Sequence, residues 1–258
     1  MASKKPNQLI KSLDRALDIL ELIVDRENGM GVTEISRELE IHKSTVYRLL
    51  DTLKFRGFLE KNEDNHKYIA GIKLFELSSK VLNEIDSRVR VRPYLEELMQ
   101  KTEETIHLGI LDAGEVIYLD KVESNATIRM YSQVGKRVPA HSTSLGKAIM
   151  AHLPEERVKE ILKEKGMEKN TENTITEVDK FLDHLEKVRK QGYAVDDEEQ
   201  EEDIRCIAGP IFNHQGKVVA AFSISAPMTR MTESRMNELA ELVVEYSQKM
   251  SRSLGHSS

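Results

Sequence analysis

Residues 31–59, GVTEISRELEIHKSTVYRLLDTLKFRGFL, leave few folds open to this chain. Ile35, Leu39, Ile41, Val46, Leu49, Leu50 and Leu53 fall where two short crossing helices need apolar side chains. Ser36 is small where those helices would touch, and Glu40 occupies the turn between them, where a left-handed backbone costs about 1 kcal/mol without glycine. Thr33 is placed to cap the first helix, Glu34–Leu39, and the second runs from about Lys43 to Phe55 until Gly57 ends it. Upstream, Leu13, Leu17, Leu20 and Ile23/Val24 predict a helix stopping at Asn28-Gly29. Downstream, Phe58–Glu60 and Lys67–Ile69 flank the polar loop Lys61–His66, which suits a hairpin.

If Val46, Leu49, Leu50 and Leu53 face the core, then Ser44, Tyr47, Arg48 and Thr52 project outward. These side chains suit phosphates and base edges in a major groove. A three-helix packing unit without nucleic acid is the alternative. The net charge of −6 argues for neither, because residues 1–77 hold 13 Lys and Arg against 13 Asp and Glu, leaving the excess acid to the rest. Lys4, Lys5 and Lys11 load the tail, while Lys43, Arg48 and Lys54 outweigh Asp51. A local basic footprint matters more for phosphate contact than the total.

Gly71 opens an amphipathic stretch with Leu74, Leu77, Val81 and Ile85 near one face, fitting a dimer seam or a helix lying on its own domain. Pro93 suits the first turn of a helix over Tyr94–Glu104. The expected division is 1–71, a linker helix 72–88, and a second domain 89–258. In that domain Ile106–Leu111 and Val116–Val122 surround the hairpin signal Asp112-Ala113-Gly114-Glu115. Helices are expected near 143–152, 155–165, 177–191 and 233–254, and strands at 193–195, 204–212 and 217–225. The last helix carries Met236, Leu239, Val243, Tyr246 and Met250 at helical spacing. Strands joined by short turns favour an α+β fold with a mostly antiparallel sheet flanked by helices.

Hydrophobic residues at 39% are enough for a core, yet no apolar run reaches the roughly 18–20 residues of a membrane span. The N-terminus lacks a secretory signal's apolar block, so a cytoplasmic protein is expected. One cysteine, Cys206, excludes an internal disulfide framework and any Cys-based zinc finger. No cofactor or metal is expected.

The 31–59 segment with its hairpin resembles the winged helix-turn-helix of the IclR family of bacterial transcriptional regulators. Further motifs extend the resemblance over about residues 10–255: His141-Ser142-Thr143-Ser144-Leu145-Gly146-Lys147, Gly192-Tyr193-Ala194-Val195-Asp196, Arg205-Cys206-Ile207-Ala208, Gly209-Pro210-Ile211-Phe212 and Ser223-Ile224-Ser225-Ala226-Pro227. Asp203 and Ala226 stand where glycine is common in the family. The resemblance implies a homodimer or tetramer on double-stranded operator DNA, with a GAF-like C-terminal domain binding a small effector. On the DNA side it points to Thr33, His42, Lys43, Ser44, Thr45, Tyr47, Arg48, Thr52 and Lys67. In the pocket it points to Ser144 and Leu145, Asp196, Cys206, Ser223 and Ser225.

A narrower similarity lies in Glu104-Thr105-Ile106-His107-Leu108-Gly109, Arg129-Met130-Tyr131-Ser132 and Glu198-Glu199-Gln200-Glu201-Glu202. These resemble the branch repressing 2-keto-3-deoxygluconate (pectin and hexuronate) catabolism. That implies a 2-keto sugar acid as effector, 2-keto-3-deoxygluconate foremost; a different small carboxylate is the alternative.

The residues carry a physical sense of their own. Backbone N–H groups opening a helix at Ser144–Gly146 favour an anion. Ser223 and Ser225 leave one face of a strand, and Asp196 can accept from sugar-acid hydroxyls. Arg129, on an expected strand before a Val138-Pro139 turn, is placed to fork a carboxylate. The run Asp196–Asp203, seven acids in eight residues, reads as a solvated loop apart from Asp196 and lacks calcium-loop spacing. Two other classes compete. An enzyme would use Cys206 as nucleophile with His107 or His141 as base, but no G-x-S-x-G, H-E-x-x-H or GxxxxGK[ST] accompanies them. A pure dimerisation module leaves the serine pair and the Arg48 face unexplained.

Overall fold

The computed structural model describes residues 9–84, 86–123 and 132–257. It divides into two compact units between Glu84 and Ile85, inside the segment expected to link the domains. Ile85 and Arg129 lie outside the described residues.

The first unit comprises α1 (Lys11–Val24), α2 (Val32–Glu38), α3 (Lys43–Phe55), β1 (Leu59–Lys61), β2 (Tyr68–Ala70) and α4 (Ile72–Glu84). Its core is built by Ile19, Ile23, Ile35, Val46, Leu50, Leu59 and Tyr68. This corrects the expected inner face of α1, since Leu13 and Leu17 stay 57% and 48% exposed. Two apolar stripes run along that helix at similar spacing, and packing on α3 and β2 selects the Ile19–Ile23 side.

Thr33 is not the cap of α2. The helix begins two residues earlier than expected, at Val32; Gly31 is the cap, and its N–H donates to the Glu34 carboxylate at 2.7 Å. A glutamate at the third helical position reaches back to the cap in this way, which leaves Thr33 exposed in the first turn. Glu40 takes the left-handed turn at φ 53°, and Ser36 Oγ donates to Ile41 O at 2.6 Å to tie that turn to α2. The hairpin strands lie one residue later than expected, paired Leu59↔Ala70 to Lys61↔Tyr68. Met30 bridges Tyr68 on the far side, extending the small sheet. Gly71 is required by close approach, because a Cβ there would lie 2.3 Å from Gly57 O.

The second unit holds α5 (Asp86–Thr102), β3 (Thr105–Asp112), β4 (Glu115–Val122), β5 (Arg137–Pro139), α6 (Ser144–Met150), α7 (Glu155–Lys165), α8 (Val178–Gln191), β6 (Ala194–Asp197), β7 (Ile204–Phe212), β8 (Val218–Pro227) and α9 (Glu233–Ser253). Six strands form one antiparallel sheet in the order β5-β4-β3-β8-β7-β6. Strand alternation divides the core between the two faces. Ile106, Leu108, Ile207, Phe222 and Ile224 pack under α5 and α9, against Leu95, Leu98, Leu239, Val243 and Met250. Ala208, Ala221 and Val116 face α6, α7 and α8 on the other side.

Pro93 lies inside α5 rather than in its first turn, because the helix begins seven residues upstream. Val91, Leu95 and Leu98 give that helix its buried stripe. Val138 and Pro139 belong to the edge strand β5 instead of a turn; an edge strand tolerates the missing donor of proline. All seven residues of α6 are buried. A Cβ at Gly146 would lie 2.1 Å from Ala140 O, so this short helix sits flush on the chain that enters it.

Candidate effector pocket and nucleic-acid face

In the first unit, burial of Val46 and Leu50 turns the opposite face of α3 to solvent. His42, Lys43, Ser44, Tyr47, Arg48 and Thr52 are exposed there, Tyr47 by 52%, and Thr45 is half-buried. Thr52 Oγ donates to Arg48 O at 2.8 Å. Lys67 begins the returning side of the hairpin and pairs with Glu34 at 3.5 Å, so its charge is shared with α2. The tip turns on Asn62, whose Oδ1 accepts from Asp64 N at 2.9 Å, and His66 adopts φ 57°. One helix face and one hairpin thus carry every DNA-side candidate except Thr33, which stands at the start of α2.

In the second unit, the sheet brings the pocket candidates together. Asp196 pairs with Cys206, Cys206 with Ser225, and His107 with Ser223, which sets a polar row across β6, β7, β8 and β3. Ser144, Leu145, Asp196, Cys206, Ser223 and Ser225 all line one cavity of about 80 Å³ beneath α6. Tyr118, Ser132, Lys136, Gln200 and Glu201 line it too, and sequence reasoning missed them.

Asp196 is buried, and its Oδ1 accepts from Glu199 N at 2.8 Å and Gln200 N at 3.2 Å. Burial pushes its pKa up to about 7, against the opposing charge of Lys147. Beside it lies an ion pair that the acidic run concealed: Lys147, fully buried, donates to Glu199 Oε1. Asp196 is the buried exception expected in the run, and the expectation of a solvated loop fails at Glu199, which is buried as well. The loop is fastened further by Thr174 Oγ to Glu199 O at 2.7 Å, Thr171 Oγ to Glu198 O at 2.6 Å and Ser142 Oγ to Gln200 Oε1 at 2.5 Å. Asp203, at φ 62°, takes a left-handed backbone conformation that glycine adopts without steric cost.

The geometry opposes nucleophilic chemistry at Cys206. Burial pushes its thiol far above the ordinary range, the reverse of an activated cysteine. His107 is engaged by Ser225 and Ser132, and His141 lies 3.0 Å from Glu168 O. Among the described residues no group of three or more His, Cys, Asp and Glu is placed to hold a metal, and no helix is long and apolar enough to cross a membrane.

A helix-turn-helix unit followed by an α+β unit with a polar pocket defines the class: a DNA-binding transcriptional regulator carrying a small-molecule sensor domain. The IclR helix-turn-helix domain model matches residues 12–63, and the model of the bacterial transcriptional regulator IclR C-terminal domain matches residues 79–252. The chain belongs to the IclR family. It is 38% identical over 253 residues to the HTH-type transcriptional regulator KdgR of Escherichia coli strain K12, covering 98% of this chain and 95% of that protein. The crystal structure of the Thermotoga maritima IclR superposes with a TM-score of 0.83 at 38% identity, over 96% of this chain and all of that one (100%). An IclR homolog from Microbacterium hydrocarbonoxydans complexed with 4-hydroxybenzoate gives a TM-score of 0.82 at 26% identity, over 94% and 98% of the two chains. These relatives are regulators, not enzymes.

Proposed function

We propose that this protein is a cytoplasmic repressor of sugar-acid catabolic genes that leaves its operator when a 2-keto acid, 2-keto-3-deoxygluconate foremost, enters the pocket. The observation carrying this reading is the convergence of Ser144, Asp196, Cys206, Ser223 and Ser225 on one cavity. Hydroxyls and one carboxyl around a short helix suit a ligand with both an acid group and hydroxyls. Residues 1–71 are the DNA-binding part and 89–258 a GAF-like effector domain, with 72–88 joining them. Two copies present two α3 helices to an inverted-repeat site, as a homodimer or a pair of dimers. A shorter 2-keto acid is the second reading, favoured by the volume of about 80 Å³. Calorimetric titration with 2-keto-3-deoxygluconate and pyruvate decides between them, and no heat from either removes both.

Arg48→Ala tests the DNA face. It removes a charge-assisted contact from an exposed position, so operator binding weakens by about 1–3 kcal/mol while the thermal midpoint stays put. Gel-shift affinity unchanged at matched salt would take α3 out of the groove.

Asp196 makes effector binding pH-dependent. Below its raised pKa of about 7 the side chain is neutral and donates to a ligand carboxylate; above it, two negative charges meet. Binding then takes up a proton, and affinity falls by up to about tenfold per pH unit on the alkaline side. Asp196→Asn, neutral throughout, flattens that slope in calorimetry between pH 6 and 8. A slope equal to that of the native protein contradicts the assignment.

A further inference from the structure

His107 sits on β3 with its ring on the pocket side of the sheet, 2% exposed. Its Nδ1 lies 3.3 Å from Ser225 Oγ and its Nε2 lies 2.7 Å from Ser132 Oγ. Both serines line the cavity, and Ser225 Oγ lies 3.3 Å from Ser223 Oγ.

A neutral imidazole has one N–H and one bare nitrogen. With the proton on Nε2, the ring donates to Ser132 and accepts from Ser225. Ser225 then offers the cavity only lone pairs, whereas Ser132 keeps its own O–H. With the proton on Nδ1 the roles exchange. In either tautomer one serine spends its proton on the ring and the other retains it. An imidazolium would donate at both nitrogens and release both serine protons. Burial prevents this, holding the ring's pKa down at about 3 with Lys121 adding to the effect.

We propose that His107 is a positioning residue for effector specificity: it forces Ser132 and Ser225 into opposite hydrogen-bonding roles, so the cavity selects ligands that pair a hydroxyl donor with an acceptor oxygen. A ligand ending in a second carboxylate supplies acceptors alone. It satisfies one serine and sets an anion against the lone pairs of the other, a mismatch that buried sites reject strongly. This selectivity rests on the 2-keto acid reading above; the ring's own protonation pattern does not.

The test compares 2-keto-3-deoxygluconate with 2-oxoadipate, a six-carbon 2-keto acid ending in a second carboxylate, by calorimetry on the full-length protein. The native protein is expected to prefer the hydroxylated acid by at least about tenfold. Ser132→Ala and His107→Phe, which removes both the donor and the acceptor of the ring, are each expected to narrow that ratio by about tenfold. Ser132 is only partly buried, so its variant keeps the test alive if His107→Phe misfolds. An unchanged ratio in either folded variant overturns the proposal. Nitrogen-15 spectra of the His107 ring supply a readout that loss of packing would not move. At pH 7 the ring should be neutral, with one N–H, and its tautomer balance should shift in Ser132→Ala. An imidazolium spectrum, or a balance that does not move, overturns the proposal whatever binds. If the spectra behave as stated and neither acid binds, the 2-keto acid reading is what falls.

Discussion

Lys147→Ala is expected to destabilise the second unit by about 3–5 kcal/mol, because it leaves a buried glutamate without its cation. Lys147 is fully buried and donates to Glu199 Oε1, while Glu199 Oε2 has no hydrogen-bond partner among the described residues. The alanine variant therefore keeps the desolvation cost of Glu199 and loses the attraction that offset it. Burial already holds the Glu199 pKa above its ordinary value with Lys147 present. Lys147→Met combined with Glu199→Met removes both charges at similar volume. Replacing a buried pair in this way is often neutral or stabilising, so the double variant should recover most of the loss. Urea unfolding of the three proteins measures this directly. A double variant as unstable as Lys147→Ala would mean that packing around α6, not the ion pair, sets the stability.

The same pair bears on the pocket. Glu199 N donates to Asp196 Oδ1, so the residue that anchors the acidic loop to Lys147 also orients the carboxyl lining the cavity. Further ties of the loop, through Ser142, Thr171 and Thr174, come from the segments that precede α6 and α8. A single helix, α6, thus carries the lining residue Ser144 and, through Lys147, holds the loop that positions Asp196.

The parts legible in the sequence share one property: their chemistry is periodic or local. Ser223 and Ser225 alternate by two, and that spacing alone puts both on one strand face, where the cavity lies. Val46 and Leu50 mark the inner side of α3, which fixes the outer side carrying Tyr47 and Arg48. Glu40 was legible as a left-handed turn from its place between two short helices. Illegible features depended on contacts distant in sequence. Lys147 and Glu199 lie 52 residues apart, and each alone looks like a solvated charge. The buried face of α1 was ambiguous because a second stripe, Leu13 and Leu17, has the same spacing as Ile19 and Ile23. His107 did carry a signal. It lies between Ile106 and Leu108, whose burial under α5 and α9 sends it to the opposite face, with the serines.

Regulation requires that the effector bind the DNA-bound and DNA-free forms with different affinities, because equal affinity shifts no equilibrium. The coupling expected for such a protein is about 1–3 kcal/mol, or about 5–150-fold in operator affinity. α4 ends the first unit at its division from the second, where α5 begins. A rigid connection transmits a bias that a flexible one dissipates. Glycine at both Lys80 and Val81 costs a helix interior about 1 kcal/mol per position, so it should shrink the coupling more than it weakens either binding event.

The most direct test is operator affinity by fluorescence anisotropy, with and without saturating 2-keto-3-deoxygluconate, in the native protein and in the Lys80→Gly, Val81→Gly variant. The acid is expected to weaken native operator binding by about 5–150-fold, and the glycine variant to lose most of that ratio. Operator affinity untouched by an acid that calorimetry places in the pocket would contradict the account, and a full ratio in the glycine variant would reduce α4 to a passive tether.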